Sequence, residues 1–239
     1  MEPDVSSVKA LTFDVFGTVV DWRGSIIREG RALSRAKGIK CNWPRFADAW
    51  RAGYAPAMDQ VRRGELPWTN IDALHRRVLE RLLDEFKVSG LNEAEKENFN
   101  RAWHRLKPWP DAVRGLKRLR KKFILATLSN GNMSLLTHMA KHADLPWDCI
   151  LSAELVRHYK RDREVYLMAA NLLDLQPQEI MMVAAHKDDL LAAKNTGFRT
   201  AWVQRPREFG SKHVFDSSPD AAFDISAADF NDLAARLGA

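Results

Sequence analysis

The pattern of apolar and polar positions changes twice along the chain. Val8–Phe13 is a short apolar run that ends at Asp14, a pattern that predicts a buried strand followed by a loop. From Trp22 to about Leu106 the apolar residues recur at helical spacing, and no strand pattern is found among them. Beyond this segment strand and helix patterns alternate, which predicts a parallel α/β sheet.

The alternating part of the chain begins after a stiff, Pro-rich joint at residues 107–110. Asp111 follows the joint and is expected to cap the next helix. The strands that we predict after it are Phe123–Leu128, Cys149–Leu151, Ile180–Ala184 and Thr200–Val203, and the helices are Asn132–Ala143, Arg163–Leu173 and Asp188–Thr196.

The order of these patterns predicts an α/β fold, with a Rossmann-like parallel sheet core and a helical cap inserted after the first strand. The core domain is expected to comprise residues 1–20 and 108–239, and the cap domain residues 21–107. In open parallel sheets, ligands bind at the carboxyl ends of the strands. Polar residues that directly follow the predicted strands are therefore the candidates for a functional site.

The composition excludes several other classes of protein. The 239 residues are 46% hydrophobic, which argues against disorder, and Cys41 and Cys149 form neither a disulfide scaffold nor a zinc motif. The net charge of +6 comes from basic residues spread along the chain, so no nucleic-acid partner is expected. Acidic Glu2 and Asp4 and the lack of a long apolar segment predict a cytoplasmic location and no membrane partner.

Asp14 and the pair Ser129-Asn130 each follow a predicted strand of the core. A carboxylate at Asp14 can act as a nucleophile, and the alternative is that it caps the next turn. Ser129 and Asn130 could hold an anionic group, although Asn-Gly is also a common turn sequence. A serine hydrolase is disfavoured, because residue 127 is Thr where the nucleophile elbow requires Gly.

Lys160 and Asp189 are candidates with opposite charges. The ammonium of Lys160 would keep a nearby Asp14 ionised, and the alternative is a solvated surface lysine. Asp189 opens the helix after strand Ile180–Ala184, where the helix dipole alone would favour an acid. Neither residue indicates a function by itself, and only their order along the chain together with Asp14 and Ser129 does so.

Taken together, the four motifs resemble those of the haloacid dehalogenase superfamily. Asp14-x-x-Gly17-Thr18 looks like its first motif, Leu128-Ser129-Asn130 its second, Lys160 its third and the segment 183–189 its fourth. Finer features look like the type II (L-2-haloacid) dehalogenases within it, and these are Ser129-Asn130-Gly131-Asn132, Tyr159-Lys160 with Tyr166, Val183-Ala184-Ala185-His186 and Arg205-Pro206-Arg207-Glu208. The resemblance covers nearly the whole chain.

Two missing acids indicate which reaction the resemblance implies. Phosphatases of the superfamily carry a second Asp two places after the nucleophile, where this chain has Phe16, and a further acidic metal ligand where it has Ala185. Neither side chain can transfer a proton or bind Mg²⁺. A halide leaves as an anion and needs neither a proton donor nor a metal ion. We therefore expect no metal and no cofactor.

The implied reaction converts short 2-haloalkanoic acids to 2-hydroxy acids in two steps. The Asp14 carboxylate displaces the halide from the α-carbon, and water then hydrolyses the aspartyl ester. By resemblance, Arg51 on the cap receives the halide. The catalytic residues are then expected to be Asp14, Thr18, Arg51, Ser129, Lys160, His186 and Asp189, and the substrate-binding residues Phe16, Asn130 and Tyr166.

The fourth motif departs from the commonest family pattern, which looks like Ser-x-Asn where this chain has Ala184-x-His186. His186 could replace the Asn as a hydrogen-bond donor, or act as a base with a pKa near neutrality. A structural histidine in a loop is the third interpretation. Whether His186 or Asp189 activates the hydrolytic water is left open by the sequence.

Two other functions remain as alternatives. One is a metal-dependent small-molecule phosphatase of the same superfamily, and the other is a non-catalytic homologue that binds an anionic partner. The expected partner of the dehalogenase is a small anionic 2-haloacid, and by resemblance the protein could form a homodimer.

Overall fold

The computed structural model describes residues 5–211, 214, 218 and 220–239, so the N-terminal Glu2 and Asp4 lie outside the described residues. The chain divides into two units. One consists of the chain up to Asp21 together with Lys107–Ala239, and the other is Trp22–Leu106. Each unit has its own buried core.

The first unit contains all the strands of the described residues. In the described residues, five strands form a parallel sheet in the order β4-β1-β5-β6-β7, and β2 and β3 pair with each other in antiparallel fashion. The predicted α/β fold with a parallel sheet is confirmed. The strands are β1 (Ala10–Phe13), β2 (Val20–Asp21), β3 (Lys107–Pro108), β4 (Ile124–Thr127), β5 (Ile180–Ala184), β6 (Arg199–Val203) and β7 (Ile225–Ala227).

The helices fall into two groups, one in each unit. Those of the second unit are α1 (Trp22–Lys37), α2 (Trp43–Ala52), α3 (Tyr54–Arg62), α4 (Ile71–Glu85) and α5 (Glu93–Asn100). Those of the first unit are α6 (Ala112–Leu119), α7 (Met133–Ala143), α8 (Arg163–Leu172), α9 (Lys187–Asn195) and α10 (Phe230–Arg236). Short 3₁₀ helices span Arg101–Arg105, Ala153–Val156 and Pro177–Glu179.

The register of the central strands brings their carboxyl ends level with one another. Phe13 at the end of β1 lies opposite Thr127 on β4 and Val183 on β5. Every residue of β1 and β5 is buried, which explains why both read as continuous apolar runs rather than alternating ones. The residues that follow these strands are consequently gathered at one edge of the sheet.

Cys149–Leu151, which the sequence predicted to be a strand, forms no regular strand in the structure. Cys149 and Ser152 make isolated bridges to Ala126 and Ser129, and between these two bridges a side chain replaces the backbone ladder. Oγ1 of Thr127 donates to the carbonyl of Leu151 at 2.9 Å and accepts from its N–H at 3.0 Å. The segment therefore lies beside β4 without becoming a sixth member of the described sheet.

Asp111 precedes α6 as expected, but its side chain does not cap the helix. The guanidinium of Arg205 donates to both carboxylate oxygens at 2.9 Å, and the N–H of Phe230 donates to one of them at 2.9 Å. Asp111 is thus the N-cap residue of α6 by position, as expected, but its carboxylate pairs with the buried guanidinium of Arg205 rather than with the first turn of that helix.

The helical unit is built around aromatic side chains. Trp50 is fully buried and lies against Trp103, with ring centroids 5.5 Å apart and an edge-to-face arrangement. On α4, Val78 and Leu82 are both buried, in agreement with the helical spacing of the apolar residues in this part of the sequence. The Asn70 side chain caps this helix by accepting from the N–H of Ala73 at 3.1 Å. No helix in the described part of the chain combines the length and apolar character of a membrane span.

Candidate active site

Asp14 lies immediately after β1, at the carboxyl edge of the sheet. Its backbone N–H donates to the carbonyl of Val183 at 3.0 Å, which continues the pairing of β1 with β5. Its Oδ2 accepts from the Thr18 hydroxyl at 2.7 Å and lies 3.1 Å from Nδ1 of His186. Oδ1 lies 3.3 Å from the Lys160 ammonium. The carboxylate is thus held by three side chains while 8% of the residue remains exposed.

Thr18 links the loop after β1 to the loop after β5. Its hydroxyl donates to Asp14 and accepts from the N–H of Ala185 at 2.9 Å. Its carbonyl accepts from Nε of the buried Arg205 at 2.7 Å, and Arg205 is in turn paired with Asp111. Because both the hydroxyl and the backbone carbonyl of Thr18 are hydrogen-bonded, the orientation of the hydroxyl towards Asp14 is well defined.

The Lys160 ammonium is buried among three oxygen acceptors. Nζ donates to the carbonyl of Leu128 at 2.7 Å and lies 2.6 Å from Asp189 and 3.3 Å from Asp14. The Asn130 side chain accepts from the backbone N–H of Lys160 at 2.6 Å. Burial would lower the pKa of Lys160, but the two carboxylates raise it above its usual value, so the side chain stays charged.

The pKa values of the two carboxylates beside Lys160 are shifted in opposite directions. Burial by itself would raise the pKa of Asp14, but the Lys160 charge and the hydrogen bonds from His186 and Thr18 hold it well below its usual range. Burial raises the pKa of Asp189, and the negative charge of Asp14 adds to this effect against the opposing charge of Lys160. Asp14 is therefore firmly ionised, and Asp189 is the more basic of the two.

His186 lies between two carboxylates. Nδ1 faces Oδ2 of Asp14, and Nε2 lies 3.0 and 3.1 Å from the two oxygens of Glu208. Burial would lower the pKa of His186, but the hydrogen bonds to Asp14 and Glu208, together with their charges, raise it to about 10. The expectation of a base with a pKa near neutrality is wrong, because at neutral pH both ring nitrogens carry a proton.

The remaining candidates in this unit form hydrogen bonds within the protein, and these are Ser129, Asn130 and Tyr166. Ser129 is fully buried, and its hydroxyl accepts from the N–H of Gly131 at 3.2 Å. Asn130 positions the backbone of Lys160 through the hydrogen bond given above. Tyr166 has no exposed surface, and its hydroxyl donates to Oδ1 of Asp189 at 2.6 Å. In this structure Tyr166 therefore contacts a site carboxylate, and a direct contact with substrate stays a prediction.

Phe16 and Ala185 occupy the two positions at which a phosphatase of the resembled superfamily would carry acids. Phe16 is 5% exposed, and its ring approaches the backbone of Gly131, where a Cβ atom would lie 3.1 Å from the ring. The N–H of Ala185 donates to Thr18. Both positions at which a phosphatase would carry an acid are therefore occupied by apolar side chains.

Arg51 belongs to α2 of the helical unit. Its guanidinium lies over the Tyr54 ring, 4.7 Å from the centroid, and 5.9 Å from the centroid of Trp22. Stacking on aromatic faces fixes a planar cation without neutralising its charge. Its expected part in accepting a halide stays a prediction.

Side-chain hydrogen bonds and ion pairs join six of the residues singled out from the sequence into one network, namely Asp14, Thr18, Lys160, Tyr166, His186 and Asp189. Glu208 belongs to the same network and was missed as a site residue. The available signal was its position in the loop that follows β6 at the carboxyl edge of the sheet. In the sequence analysis, the segment that contains Glu208 contributes only to the resemblance to the type II dehalogenases.

Comparison with known proteins gives a consistent result. The family model of haloacid dehalogenase-like hydrolases matches residues 8–197. The (S)-2-haloacid dehalogenase 4A of Burkholderia cepacia is 28% identical over 212 residues, which are 84% of this chain and 85% of that protein. The resemblance inferred from the motifs is confirmed.

Two crystal structures are similar over nearly the whole chain. One, of an L-2-haloacid dehalogenase, is 46% identical, has a TM-score of 0.93 and is matched over 97% of this chain and 99% of that one. The other, of a defluorinating L-2-haloacid dehalogenase, is 43% identical, also with a TM-score of 0.93, over 97% and 96% of the two chains. The fold and the sequence therefore point to the same relatives.

Proposed function

The chain belongs to the haloacid dehalogenase-like hydrolases, and we propose that it hydrolyses the carbon–halogen bond of short 2-haloalkanoic acids to give 2-hydroxy acids. Haloacetates and (S)-2-halopropionates are the proposed substrates, in line with the names of its relatives. The reaction proceeds through an ester on Asp14, and neither a metal nor a cofactor takes part.

The observation that best supports this proposal is the ionised and oriented carboxylate of Asp14. An in-line displacement at carbon needs a negatively charged oxygen held in one position, and Lys160, Thr18 and His186 provide both the charge stabilisation and the positioning. An oxygen of Asp14 forms a bond to the α-carbon while the carbon–halogen bond breaks, and the halide leaves with the electron pair. No proton is required for this step.

Oδ1 is the attacking oxygen of Asp14. Oδ2 accepts from two donors, Thr18 and His186, which occupy both of its lone pairs. Among the described residues, Oδ1 has the Lys160 ammonium as its hydrogen-bond partner, at the longer distance of 3.3 Å. Oδ1 therefore keeps a lone pair for the substrate, and Oδ2 becomes the carbonyl oxygen of the ester.

Asp189 accepts the proton of the hydrolytic water. His186 already carries two protons, whereas Asp189 has a pKa raised by burial, which makes it the better proton acceptor. The Tyr166 hydroxyl and the Lys160 ammonium hold its two oxygens at 2.6 Å each. We therefore propose Asp189, rather than His186, as the group that activates the hydrolytic water.

The apolar residues Phe16 and Ala185 favour a halide as the leaving group over the alkoxide of a phosphate ester. An alkoxide leaving group would need a proton donor close to Asp14, and Phe16 cannot supply one. Halide departure needs a positive charge instead, and Arg51 is the proposed acceptor. Ser129 and Asn130 are proposed to assist in holding the carboxylate of the substrate.

Halide release from a panel of substrates tests the proposal directly. The panel contains chloro-, bromo- and fluoroacetate and both enantiomers of 2-chloropropionate, with fluoroacetate included because one relative is described as defluorinating. We expect chloride and bromide release, with preference for (S)-2-chloropropionate. Hydrolysis of an aryl phosphate in millimolar Mg²⁺, with no halide released from any member, would reject the proposal in favour of a phosphatase.

Isotope labelling tests the ester mechanism within the same experiment. One turnover in ¹⁸O-water should place the label in Asp14 and leave the first hydroxy acid unlabelled, because water attacks the ester carbonyl. If water attacked the substrate directly, the label would appear in the product at once. That result would make Asp14 a base and refute the ester.

A further inference from the structure

We propose that Glu208 is a positioning residue for the second half-reaction, in which it keeps His186 as a positively charged donor to Oδ2 of Asp14 while the ester is hydrolysed. This inference rests on the proposed function. It concerns a residue outside the catalytic set that the motifs predict, and it gives His186 a role other than that of a base.

The carboxylate of Glu208 is a close and buried partner of the imidazole. Its side chain is 4% exposed, and both carboxylate oxygens lie within 3.1 Å of Nε2. The opposite nitrogen, Nδ1, lies 3.1 Å from Oδ2 of Asp14. His186 therefore connects the buried carboxylate of Glu208 directly to the reacting group.

Among the described residues, the charged groups that face or flank His186 have identified partners. Asp14 and Glu208 face its ring from the loops after β1 and β6, and Arg205, close to Glu208, is paired with Asp111. On its own element the neighbouring charges have partners elsewhere, and these pairs are Lys187 with Asp220, Asp188 with Arg161 and Asp189 with Lys160.

The need for Glu208 arises when the ester forms. Asp14 then loses its negative charge, and of the two carboxylates that face the imidazole only Glu208 remains ionised. A neutral imidazole that donates its single proton from Nε2 to Glu208 would turn a lone pair on Nδ1 towards the ester carbonyl. A charged imidazole has a proton on both nitrogens, so Nδ1 still donates to Oδ2. The carboxylate of Glu208 favours the charged form.

The hydrolysis step develops negative charge at Oδ2. The oxygen of water forms a bond to Cγ of Asp14, its proton passes to Asp189, and the π electron pair of the carbonyl moves onto Oδ2. Thr18 and the charged His186 donate to this oxyanion. The bond between Cγ and Oδ1 then breaks, its electron pair goes to the oxygen of the hydroxy acid, and that oxygen takes the proton from Asp189. Asp14 is left as a carboxylate after release of one proton to solvent.

Glu208→Gln tests the inference, because it keeps the shape of the side chain and removes its charge. In rapid-mixing experiments with chloroacetate we expect the first equivalent of chloride at nearly the wild-type rate, followed by a turnover slowed by roughly 10- to 100-fold, as for loss of part of an oxyanion donor. The ester should accumulate on Asp14 and be visible by intact mass.

The pH dependence of turnover gives a second readout. The active form of His186 is protonated, so turnover falls as the pH rises through the pKa of this group in the ester. Removal of the Glu208 charge lowers that pKa, and the alkaline limb of the profile should move to lower pH in Glu208→Gln. A profile that keeps its alkaline limb in place would overturn the inference, as would a first equivalent of chloride slowed as much as turnover.

A double-mutant cycle shows whether Glu208 acts through the imidazole. In a His186→Asn background, where the side chain cannot carry a charge, adding Glu208→Gln should have little further effect. Additive losses would overturn the inference. Glu179→Gln is the matched control, since Glu179 lies at the opposite end of β5 and pairs with Lys9.

Two further controls separate the possible failures. Far-UV circular dichroism and a thermal melt check that Glu208→Gln is folded, and His186→Asn supplies the same pH readout if it is not, because its alkaline limb should disappear. If the wild-type protein releases no halide, the proposed function fails. If the wild type turns over and Glu208→Gln matches it in rate and pH profile, this inference alone fails.

Discussion

The carboxylate of Glu208 lies so close to Gly17 that a Cβ atom on that glycine would be 2.1 Å from Oε1. Gly17 also has a φ of +88°, a conformation that residues with a side chain rarely adopt. The loop that carries Asp14 and Thr18 therefore depends on a glycine for two reasons, its backbone conformation and the space that Glu208 occupies. This relationship makes the position of Glu208 testable from the other side of the contact.

Gly17→Ala should displace Glu208 from His186 and slow turnover by about tenfold or more, as expected when an oxyanion donor is weakened. The backbone strain should also destabilise the protein by roughly 1–2 kcal/mol. Steady-state halide release and a thermal melt measure the two effects. Gly90→Ala is the matched control, because Gly90 has a φ of +83° and no described atom within 4 Å of a Cβ there.

Both variants carry the backbone strain, and only Gly17→Ala is expected to lose activity. An unchanged kcat in Gly17→Ala would show that the activity does not depend on the close packing of Glu208 against this loop.

Asp14→Asn should abolish halide release, because an amide cannot displace a halide and the ester cannot form. We expect less than a tenth of the wild-type kcat, which corresponds to a barrier increase of at least about 1.4 kcal/mol. Chloride release from chloroacetate gives the rate, and circular dichroism shows that the variant is folded. More than a tenth of the wild-type rate in a folded variant would remove Asp14 from the role of nucleophile.

Exhaustive treatment with EDTA should leave dehalogenation unchanged. The reason is the chemistry of the side chains beside Asp14, since Phe16 and Ala185 offer no oxygen ligand for Mg²⁺. The measurement compares halide release before and after dialysis against the chelator, and again after Mg²⁺ is restored. Activity that is lost on treatment and returns with Mg²⁺ would contradict the proposed mechanism.

Arg51→Lys should lower kcat by about tenfold or more while the protein stays folded, because an ammonium keeps the charge and loses the planar group that stacks on Tyr54. Arg45→Lys is the matched control, since Arg45 is an exposed residue on the same helix. Halide release with bromoacetate measures both variants. Equal rates for wild type and Arg51→Lys would exclude Arg51 from halide departure.

His75 should make the stability of the helical unit sensitive to acid. The residue is 2% exposed and stacks on Trp103, and burial lowers its pKa from 6.5 to about 3. The unfolded chain then binds one more proton than the folded protein between these two values. Stability should therefore be fully present above about pH 6.5 and fall by about 1.4 kcal/mol per pH unit towards pH 3.

Thermal melts between pH 4 and 7 test this dependence. His75→Phe, which keeps an aromatic ring and removes the titration, should flatten the slope relative to wild type. His142→Phe, which removes an exposed histidine on α7, serves as the control and should keep the wild-type slope. Equal slopes for all three proteins would show that His75 does not contribute to acid sensitivity.

Local patterns in the sequence were sufficient for the fold and for most members of the site. The apolar run before Asp14 and the alternation after residue 107 reflect burial and periodicity, which are properties of neighbouring residues. Parallel strands bring their carboxyl ends to one edge, so strand positions in the sequence are enough to expect Asp14 and Asp189 close together, whereas Lys160 was placed with them by the family resemblance. The apolar nature of Phe16 and Ala185 is likewise a property of the sequence.

The protonation of His186 and the role of Glu208 were decided only by the tertiary structure. Glu208 is 22 residues from His186 in sequence, and the loop after β6 brings it to the imidazole that follows β5. A pKa depends on burial and on the charges within a few ångströms, and neither is written in the residues next to a histidine. For the same reason Asp111, which reads as a helix cap in the sequence, is instead the partner of Arg205. Hydrophobic periodicity is a property of neighbouring residues and can be recognised in the sequence. The pairing of buried charges depends instead on which loops the strand order brings together.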